Sequence, residues 1–167
     1  MRLMVFLHGT SIMHRGAIGL TREERVKQIR QADDESIRDL TSYAPIGKVV
    51  EKLKNWKAQG AEILYLSSNR DPRDVEKDRM ILTEHDFPPG QVLFRARDET
   101  YASVVEKASP DILIEDDCES IGGEAEMAYP NLSVAGKKGV KSIVVKEFGG
   151  IDRLPDDLNA LRDWHET

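Results

Sequence analysis

The stretch APIGKVVEKLKNWKAQGAEILYL, residues 44–66, joins two hydrophobic patterns at Gly60. Before that glycine, apolar side chains recur every three or four positions, at Val49, Leu53 and Trp56. This spacing predicts an amphipathic helix, with Pro45 in its first turn and Gly60 as its C-terminal stop. The following run EILYL, residues 62–66, is apolar on both faces, which is typical of a strand covered by helices on each side of a parallel sheet.

The same alternation of strand and helix patterns is repeated along the chain. Further short apolar runs are LMVFL (3–7), QVLF (91–94), DILI (111–114) and SIVV (142–145). Helical patterns occupy residues 71–86 and 98–109, and a short helix is expected near the C-terminus. The alternation predicts one Rossmann-like α/β domain over residues 1–167, with three layers and a mostly parallel five-stranded sheet.

Residues 11–44 depart from this alternation and form an insertion after the first strand. The sequence TREERVKQIRQA places Thr21 and Glu24 at the spacing of a capping box, which predicts at least one exposed helix. Its mixed charge favours a solvated surface helix. A flap over the sheet edge and a contact between copies of the chain in a homo-oligomer are the alternatives.

The amino-acid composition indicates what kind of protein this is and which partners it is not expected to bind. The chain is 40% hydrophobic and 32% charged, with a formal net charge of −6, which is typical of a soluble globular protein. This acidic balance argues against nucleic acid as the main partner, because no basic stripe is present. The single cysteine, Cys118, cannot form an internal disulfide, and no apolar stretch approaches the length of a membrane span. We therefore expect a cytoplasmic protein that does not bind membranes.

Polar residues follow the predicted strands, where a doubly wound sheet binds its ligands. They are His8, Gly9, Thr10 and Ser11 after the first strand, Ser67, Ser68, Asn69 and Arg70 after the second, Arg95 and Arg97 after the third, and Glu115, Asp116, Asp117 and Glu119 after the fourth. Hydroxyls, turn amides and an arginine suit a phosphate, whereas clustered carboxylates need a cation such as Mg²⁺. Serine helix caps, surface arginines and a solvated acidic loop are the alternative interpretations.

This combination resembles the haloacid dehalogenase superfamily, whose members are mostly Mg²⁺-dependent phosphohydrolases, over residues 3–11 and 44–123. In PIGKVVEKLKNWKAQGAEILYLSSNR, the resemblance implies that Ser67 binds the transferred phosphoryl group. In PDILIEDD, it implies that Asp116 holds Mg²⁺ together with Glu115 or Asp117. The basic residue of the third motif is best matched by Arg97 and next by Arg95. The resemblance is to a small or capless member of the superfamily with a degenerate first motif.

The first motif of that superfamily is DxDxT, and FLHGT departs from it. Gly9 and Thr10 match, but Phe6 and His8 stand where the two aspartates are expected. A phenyl ring can neither attack phosphorus nor bind a metal, so no phosphoaspartate can form at Phe6. The His8 imidazole could act as a general acid or base, or it could only hydrogen-bond a neighbouring loop.

The sequence therefore supports two hypotheses of function. The first is a protein that binds a phosphorylated small molecule without phosphoaspartate catalysis. The second is an atypical Mg²⁺-dependent phosphohydrolase, acting on a nucleotide or sugar phosphate by direct attack of water. A third and weaker interpretation takes FLHGTS as similar to the RHG signature of histidine phosphatases, with His8 as nucleophile, although Leu7 replaces the arginine of that signature.

Overall fold

The computed structural model describes residues 1–31 and 39–165. Its strands are β1 (Arg2–Phe6), β2 (Ile12–His14), β3 (Tyr43–Pro45), β4 (Glu62–Leu66), β5 (Gln91–Leu93), β6 (Ile112–Asp116) and β7 (Lys141–Val145). Its α-helices are α1 (Arg22–Gln31), α2 (Val49–Ala58), α3 (Pro72–Glu84), α4 (Tyr101–Ala108), α5 (Val134–Gly139) and α6 (Ala160–Asp163). The five predicted strands and the helices between them are thus confirmed.

The main sheet has the order β5-β4-β1-β6-β7, and all neighbouring strands in it are parallel. At the centre, Met4 of β1 lies between Leu64 of β4 and Leu113 of β6. The chain first extends the sheet on one side of β1, through β4 and β5, and then on the other side, through β6 and β7. The strand order therefore reverses between β1 and β6, which is where such sheets open a crevice for ligands.

Alternating side chains of β1 enter two separate cores, which accounts for its unbroken apolar sequence. Leu3 and Val5 pack into a core with residues of α2 and α3, among them Trp56. Met4 and Phe6 pack into a second core with residues of α4. Helices therefore cover both faces of the sheet, in the three layers that the sequence predicts.

Local capping determines where α3 and α4 begin. The Asp71 side chain accepts a hydrogen bond from the Arg73 amide, and Pro72 occupies the first turn of α3, where a missing N–H costs nothing. At α4, Thr100 and Ser103 form a capping box. Helices α3 and α4 thus begin at positions that their own local sequence specifies.

The predicted position of Pro45 in the first turn of α2 is wrong. Pro45 pairs with Ile12 in a small antiparallel sheet of β2 and β3, and α2 begins at Val49. The adjacent Ile46 amide donates to the Ser11 carbonyl at 2.9 Å, which keeps this segment extended beside β2. Each strand of the small sheet has three residues, too few for a periodic pattern to reveal.

The helix expected in the insertion is α1. Its capping box forms as predicted: the Thr21 amide donates to Glu24 Oε2 at 2.7 Å, and the Glu24 amide donates to Thr21 Oγ1 at 3.2 Å. Residues 32–38 of the insertion lie outside the described part of the chain. Within the described part, no helix is both long enough and apolar enough to cross a membrane.

Candidate functional site

The loops after β1, β4, β6 and β7 meet beside the reversal of strand order. Thr10 Oγ1 donates to Asp116 Oδ2 at 2.6 Å, which joins the first and third of these loops. His8 Nδ1 lies 2.8 Å from Ser68 Oγ, and the Phe148 amide donates to the Gly9 carbonyl at 2.7 Å. The structure therefore brings residues from all four strand ends to one place.

The turn after β1 folds back on itself at Gly9. The Ser11 and Ile12 amides both donate to the Leu7 carbonyl, and the Gly9 amide donates to the Ile12 carbonyl at 3.0 Å. The Gly9 amide is therefore engaged inside the turn, instead of being presented to a phosphate. Gly9 has φ +85°, and a Cβ there would lie 2.9 Å from Asp116 Oδ2. Its contribution to the site is to let the backbone approach this carboxylate.

Asp116 is a buried acid at the end of β6, with 3% of its surface exposed. Besides the Thr10 hydroxyl, its carboxylate accepts a hydrogen bond from the Cys118 amide at 3.0 Å. Burial raises the pKa of Asp116, while these two hydrogen bonds favour the charged form and oppose that shift. A cation beside Asp116 would act in the same direction as the hydrogen bonds.

Two further carboxylates lie beside Asp116. Asp116, Asp117 and Glu147 each offer one oxygen, and these three oxygens lie within 4.8 Å of one another. Glu147 also accepts hydrogen bonds from the Ser120 amide and hydroxyl at 2.7 and 2.6 Å. Burial raises the pKa of Glu147, as it does for Asp116. Three carboxylate oxygens in this arrangement are suitable ligands for a hard divalent cation.

Asp117 forms the outer side of this carboxylate group. Burial opposes its ionisation, but its pKa is nevertheless lowered by the hydrogen bond from the Glu147 amide and by the nearby Lys146 ammonium. Lys146 Nζ lies 3.1 Å from Asp117 Oδ2, and Arg22 Nη2 of α1 lies 3.7 Å from the same oxygen. Asp117 therefore remains charged more readily than its two neighbours.

Glu115, the third acid expected at the metal, lies apart from this group. It accepts hydrogen bonds from the Ala128 and Tyr129 amides at 2.7 and 2.9 Å and is 1% exposed. Neighbouring residues of a strand point to opposite faces, so Glu115 and Asp116 cannot share one site through their side chains. Burial raises the pKa of Glu115 to about 7.

This raised pKa predicts a pH-dependent stability. The folded protein holds the Glu115 proton more tightly than the unfolded chain, so the contribution of the protonated carboxyl is complete below the ordinary pKa of 4.5 and is lost as the pH rises through about 7. Relative to Glu115→Gln, the wild-type free energy of unfolding should fall by up to about 3 kcal/mol over that window. Urea unfolding of both proteins across this pH range measures the difference, and parallel pH profiles would contradict it.

Asp78 of α3 is a buried acid at the back of the site that the sequence analysis missed. It is 0% exposed and accepts hydrogen bonds from the Ser67 hydroxyl and from Asn69 Nδ2, the latter at 3.1 Å. His8 Nε2 lies 3.2 Å from its other oxygen. The side chains of Ser67 and Asn69, both predicted to bind phosphate, are thus directed to Asp78, while Ser68 faces His8.

The two candidate arginines differ in position. Arg95 is half-buried, its guanidinium lies 3.7 Å from the centre of the Tyr101 ring, and Nη2 donates to the Ser68 carbonyl at 3.1 Å. Arg97 is exposed, and its carbonyl accepts a hydrogen bond from Arg70. The structure therefore places Arg95 beside the site, in contrast to the preference for Arg97 that the family resemblance implies.

A cavity of about 200 Å³ opens between these loops and the insertion. Its polar lining includes His8, Ser68, Asp116, Ser120 and Glu147. Its apolar lining is largely aromatic and includes Phe6, Tyr43, Tyr101 and Phe148. Ile29 of α1 and Met13 of β2 also line it, so the insertion covers the polar residues and partly screens them from water.

No protein-family model matches the sequence, and no curated protein matches it either. Among solved structures, the chain is similar to a chain of the Pnkp1/Rnl/Hen1 complex, with 13% sequence identity and a TM-score of 0.54. The match covers 87% of this chain and 46% of that one, so this chain spans less than half of its length. At such low identity the likeness concerns the fold alone.

Two further solved structures match most of the chain. One is a HAD family hydrolase from Deinococcus radiodurans R1 with bound phosphate and sodium, at 11% identity and a TM-score of 0.47, covering 88% of this chain and 91% of that one. The other, assigned as a β-phosphoglucomutase from Thermotoga maritima, has 14% identity and a TM-score of 0.48, and the coverages are 97% and 98%. The α/β assignment itself rests on this chain's own parallel sheet and on the two cores that its faces form with the helices.

Proposed function

We propose that the protein binds a phosphorylated small molecule together with Mg²⁺ at the ends of β1, β6 and β7, without forming a phosphoaspartate. The convergence of Asp116, Asp117 and Glu147 beside the turn at Gly9 carries this proposal. Phe6 supplies no carboxylate, but Glu147 adds one from the loop after β7. The cation ligands therefore need no contribution from the side chain of residue 6.

The donor set fits Mg²⁺ in kind and in charge. All three candidate ligands are carboxylates, and Asp116 and Glu147 are buried, with 3% and 5% of their surface exposed. Carboxylates this close repel one another unless a cation lies between them. The same charge would repel a phosphate from the cavity, and Mg²⁺ held by Asp116, Asp117 and Glu147 would supply the positive charge that offsets this repulsion.

The remaining lining indicates which part of a ligand each side of the cavity would contact. His8 and Ser68 place hydrogen-bonding groups in the cavity that the carboxylates line, and Arg95 donates a hydrogen bond to the Ser68 carbonyl. The rings of Tyr43 and Tyr101 line the same space. A phosphate ester with a planar or apolar organic part, such as a nucleotide, suits this division better than inorganic phosphate does.

Titration calorimetry with Mg²⁺ tests the cation site directly. We expect Asp116→Asn to weaken Mg²⁺ binding by at least about tenfold, since it removes one of three charged ligands, and to abolish Mg²⁺-dependent binding of a nucleoside monophosphate. Glu124→Gln is the matched control, because Glu124 is an exposed acid in the chain segment after β6 and lies outside the carboxylate group. Equal Mg²⁺ affinity in the wild type and in Asp116→Asn would refute the proposed site.

The second candidate function is Mg²⁺-dependent phosphohydrolysis by direct attack of water. The observation that favours it is the position of His8, whose ring lines the cavity and can accept a proton there. Release of phosphate from phosphomonoesters, measured with Mg²⁺ and with excess chelator, distinguishes hydrolysis from binding alone. Turnover that is lost in Asp116→Asn would support the hydrolase, and binding without turnover would support the first function.

A further inference from the structure

Ser68, His8 and Asp78 form a continuous chain of polar contacts from the cavity into the protein interior. Ser68 Oγ lies 2.8 Å from His8 Nδ1, and His8 Nε2 lies 3.2 Å from Asp78 Oδ1. The second contact is within ion-pair distance, although the ring N–H does not point straight at the oxygen. Contacts of this kind often align only when a substrate is bound.

The surroundings determine which nitrogen of His8 carries the proton. Asp78 is a carboxylate on the Nε2 side, and it already accepts hydrogen bonds from Ser67 and Asn69, so it offers acceptors and no donor to the ring. The neutral tautomer protonated at Nε2 is therefore favoured. This leaves an unprotonated Nδ1 facing the Ser68 hydroxyl, which is the arrangement of a general base beside a nucleophile.

The two serines after β4 have different roles in the structure. The hydroxyl of Ser67 is 0% exposed, donates to Asp78 and accepts from the Asn69 amide. The N-cap of α3 is Asp71, so helix capping does not use Ser68 either. Ser68 lines the cavity and makes its side-chain contact with His8. Its hydroxyl is thus positioned toward the space that the ligand would enter.

We propose that Ser68 is the nucleophile of this site, with His8 as its general base and Asp78 as a positioning residue. The inference rests on the proposed phosphate-ester site and adds a covalent step to it. Ser68 Oγ would attack phosphorus as its proton passes to His8 Nδ1. The bond from phosphorus to the ester oxygen would break, and His8 would donate that proton to the departing alcohol.

The second half of the reaction regenerates the serine. Water would attack the phosphorus of phosphoserine as His8 Nδ1 takes its proton, and the bond from phosphorus to Ser68 Oγ would break. His8 would then return the proton to Oγ, and inorganic phosphate would leave. The carboxylate of Asp78 would stabilise the imidazolium that exists between the two proton transfers. No oxidant or further co-reactant is needed.

The covalent step is tested by incubating the full chain with Mg²⁺ and p-nitrophenyl phosphate, quenching in acid and mapping peptides by mass spectrometry. We expect one phosphoryl group on the peptide that contains Ser68. Ser68→Ala should lack it and should hydrolyse the ester at least about 100-fold more slowly. Ser142→Ala is the control, since Ser142 lies in β7 outside the cavity lining and should behave as wild type.

Asp78→Asn tests the positioning role separately. It keeps the side-chain volume but removes the charge that faces the imidazolium, so we expect kcat to fall about 100-fold while KM and Mg²⁺ affinity stay close to wild type. A purely structural role would instead change stability, KM and Mg²⁺ affinity together. This kcat effect and the phosphorylated Ser68 peptide are the results expected if the three residues act as a unit.

Failure of this inference can be distinguished from failure of the proposed function. If the wild type binds Mg²⁺ and the ester but carries no phosphoserine, and Ser68→Ala turns over as fast as wild type, Ser68 is not the nucleophile and the binding site stands. Binding with no turnover and no phosphoserine also overturns the nucleophile. If neither Mg²⁺ nor the ester binds, the proposed function itself fails. Should Ser68→Ala not fold, the wild-type peptide map alone decides.

Discussion

Replacing Gly9 with alanine is expected to destabilise the protein by about 3 kcal/mol and to weaken Mg²⁺ binding. Gly9 has φ +85°, where an L-residue costs about 1–2 kcal/mol. The new Cβ would also lie 2.9 Å from Asp116 Oδ2 and 3.4 Å from Glu147 Cγ. Either the turn or the carboxylates must move, and the affected acids are two of the three proposed cation ligands.

Gly19→Ala separates these two effects. Gly19 has nearly the same backbone angle, φ +88°, but a Cβ there would have nothing within 4 Å. We expect it to lose only the backbone cost, about 1 kcal/mol, and to bind Mg²⁺ as the wild type does. Urea unfolding gives both stabilities, and calorimetry gives both affinities. Equal losses of stability in the two variants would show that the close approach to Asp116 costs nothing.

The strands of the main sheet could be predicted from the sequence because they are buried on both faces. Runs such as residues 3–7 and 63–66 must enter two cores, so they are apolar at every position and stand out from the amphipathic helices. His8, Ser68 and Asp116, which the strand-end rule selects as candidates, lie together at one edge of the sheet. These predictions depend on periodicity and topology, which a single sequence displays.

The choice among adjacent acids could not be made from the sequence, because it depends on where β6 ends. With the strand predicted to stop at residue 114, Glu115 and Asp116 both belong to a loop. The strand continues to Asp116, so strand alternation sends Glu115 to the opposite face. A difference of two residues in one boundary thus changes the predicted ligand set.

Two residues of the candidate site, Glu147 and Asp78, could have been identified from features of the sequence. Glu147 comes two residues after the last strand, so the strand-end rule applies to it as it does to Asp116. Asp78 lies three residues from both Val75 and Ile81 on the buried face of α3, where an acid is unusual unless it is paired. The residues that contact Asp78 could not be identified from the sequence, because Ser67, Asn69 and His8 come from two separate loops.

In the insertion, too, the start of the helix could be predicted from neighbouring residues, whereas its contacts with distant parts of the chain could not. The start of α1 follows from the capping box at Thr21 and Glu24, which involves residues three apart. Its relation to the site depends on contacts far along the chain: Ile29 lines the cavity, and Arg22 reaches Asp117. The mixed charge of the helix favours a solvated surface element, but in the structure the helix lies over the candidate site.

Asp78→Ala is expected to cause the largest loss of stability of any site variant, about 3–5 kcal/mol. The substitution removes the acceptor of the Ser67 hydroxyl and of Asn69 Nδ2, and it removes the neighbour of His8 Nε2. Each buried donor left without a partner costs about 1–3 kcal/mol. Glu76→Ala on the same helix is the control: Glu76 is 62% exposed and its ion pair with Arg79 is a surface pair, so about 0.5 kcal/mol or less is expected.

A double-mutant cycle distinguishes this network from a simple loss of packing. If Asp78 acts through the hydrogen bond from Ser67, the free energies of unfolding of Ser67→Ala and Asp78→Ala should not add, and their coupling should be about 1 kcal/mol or more. Additive losses would mean that the cavity left by the missing side chain dominates. A loss in Asp78→Ala no larger than that in Glu76→Ala would mean that the loop after β4 holds its shape without Asp78. In that case Asp78 could not be what fixes the positions of Ser68 and His8.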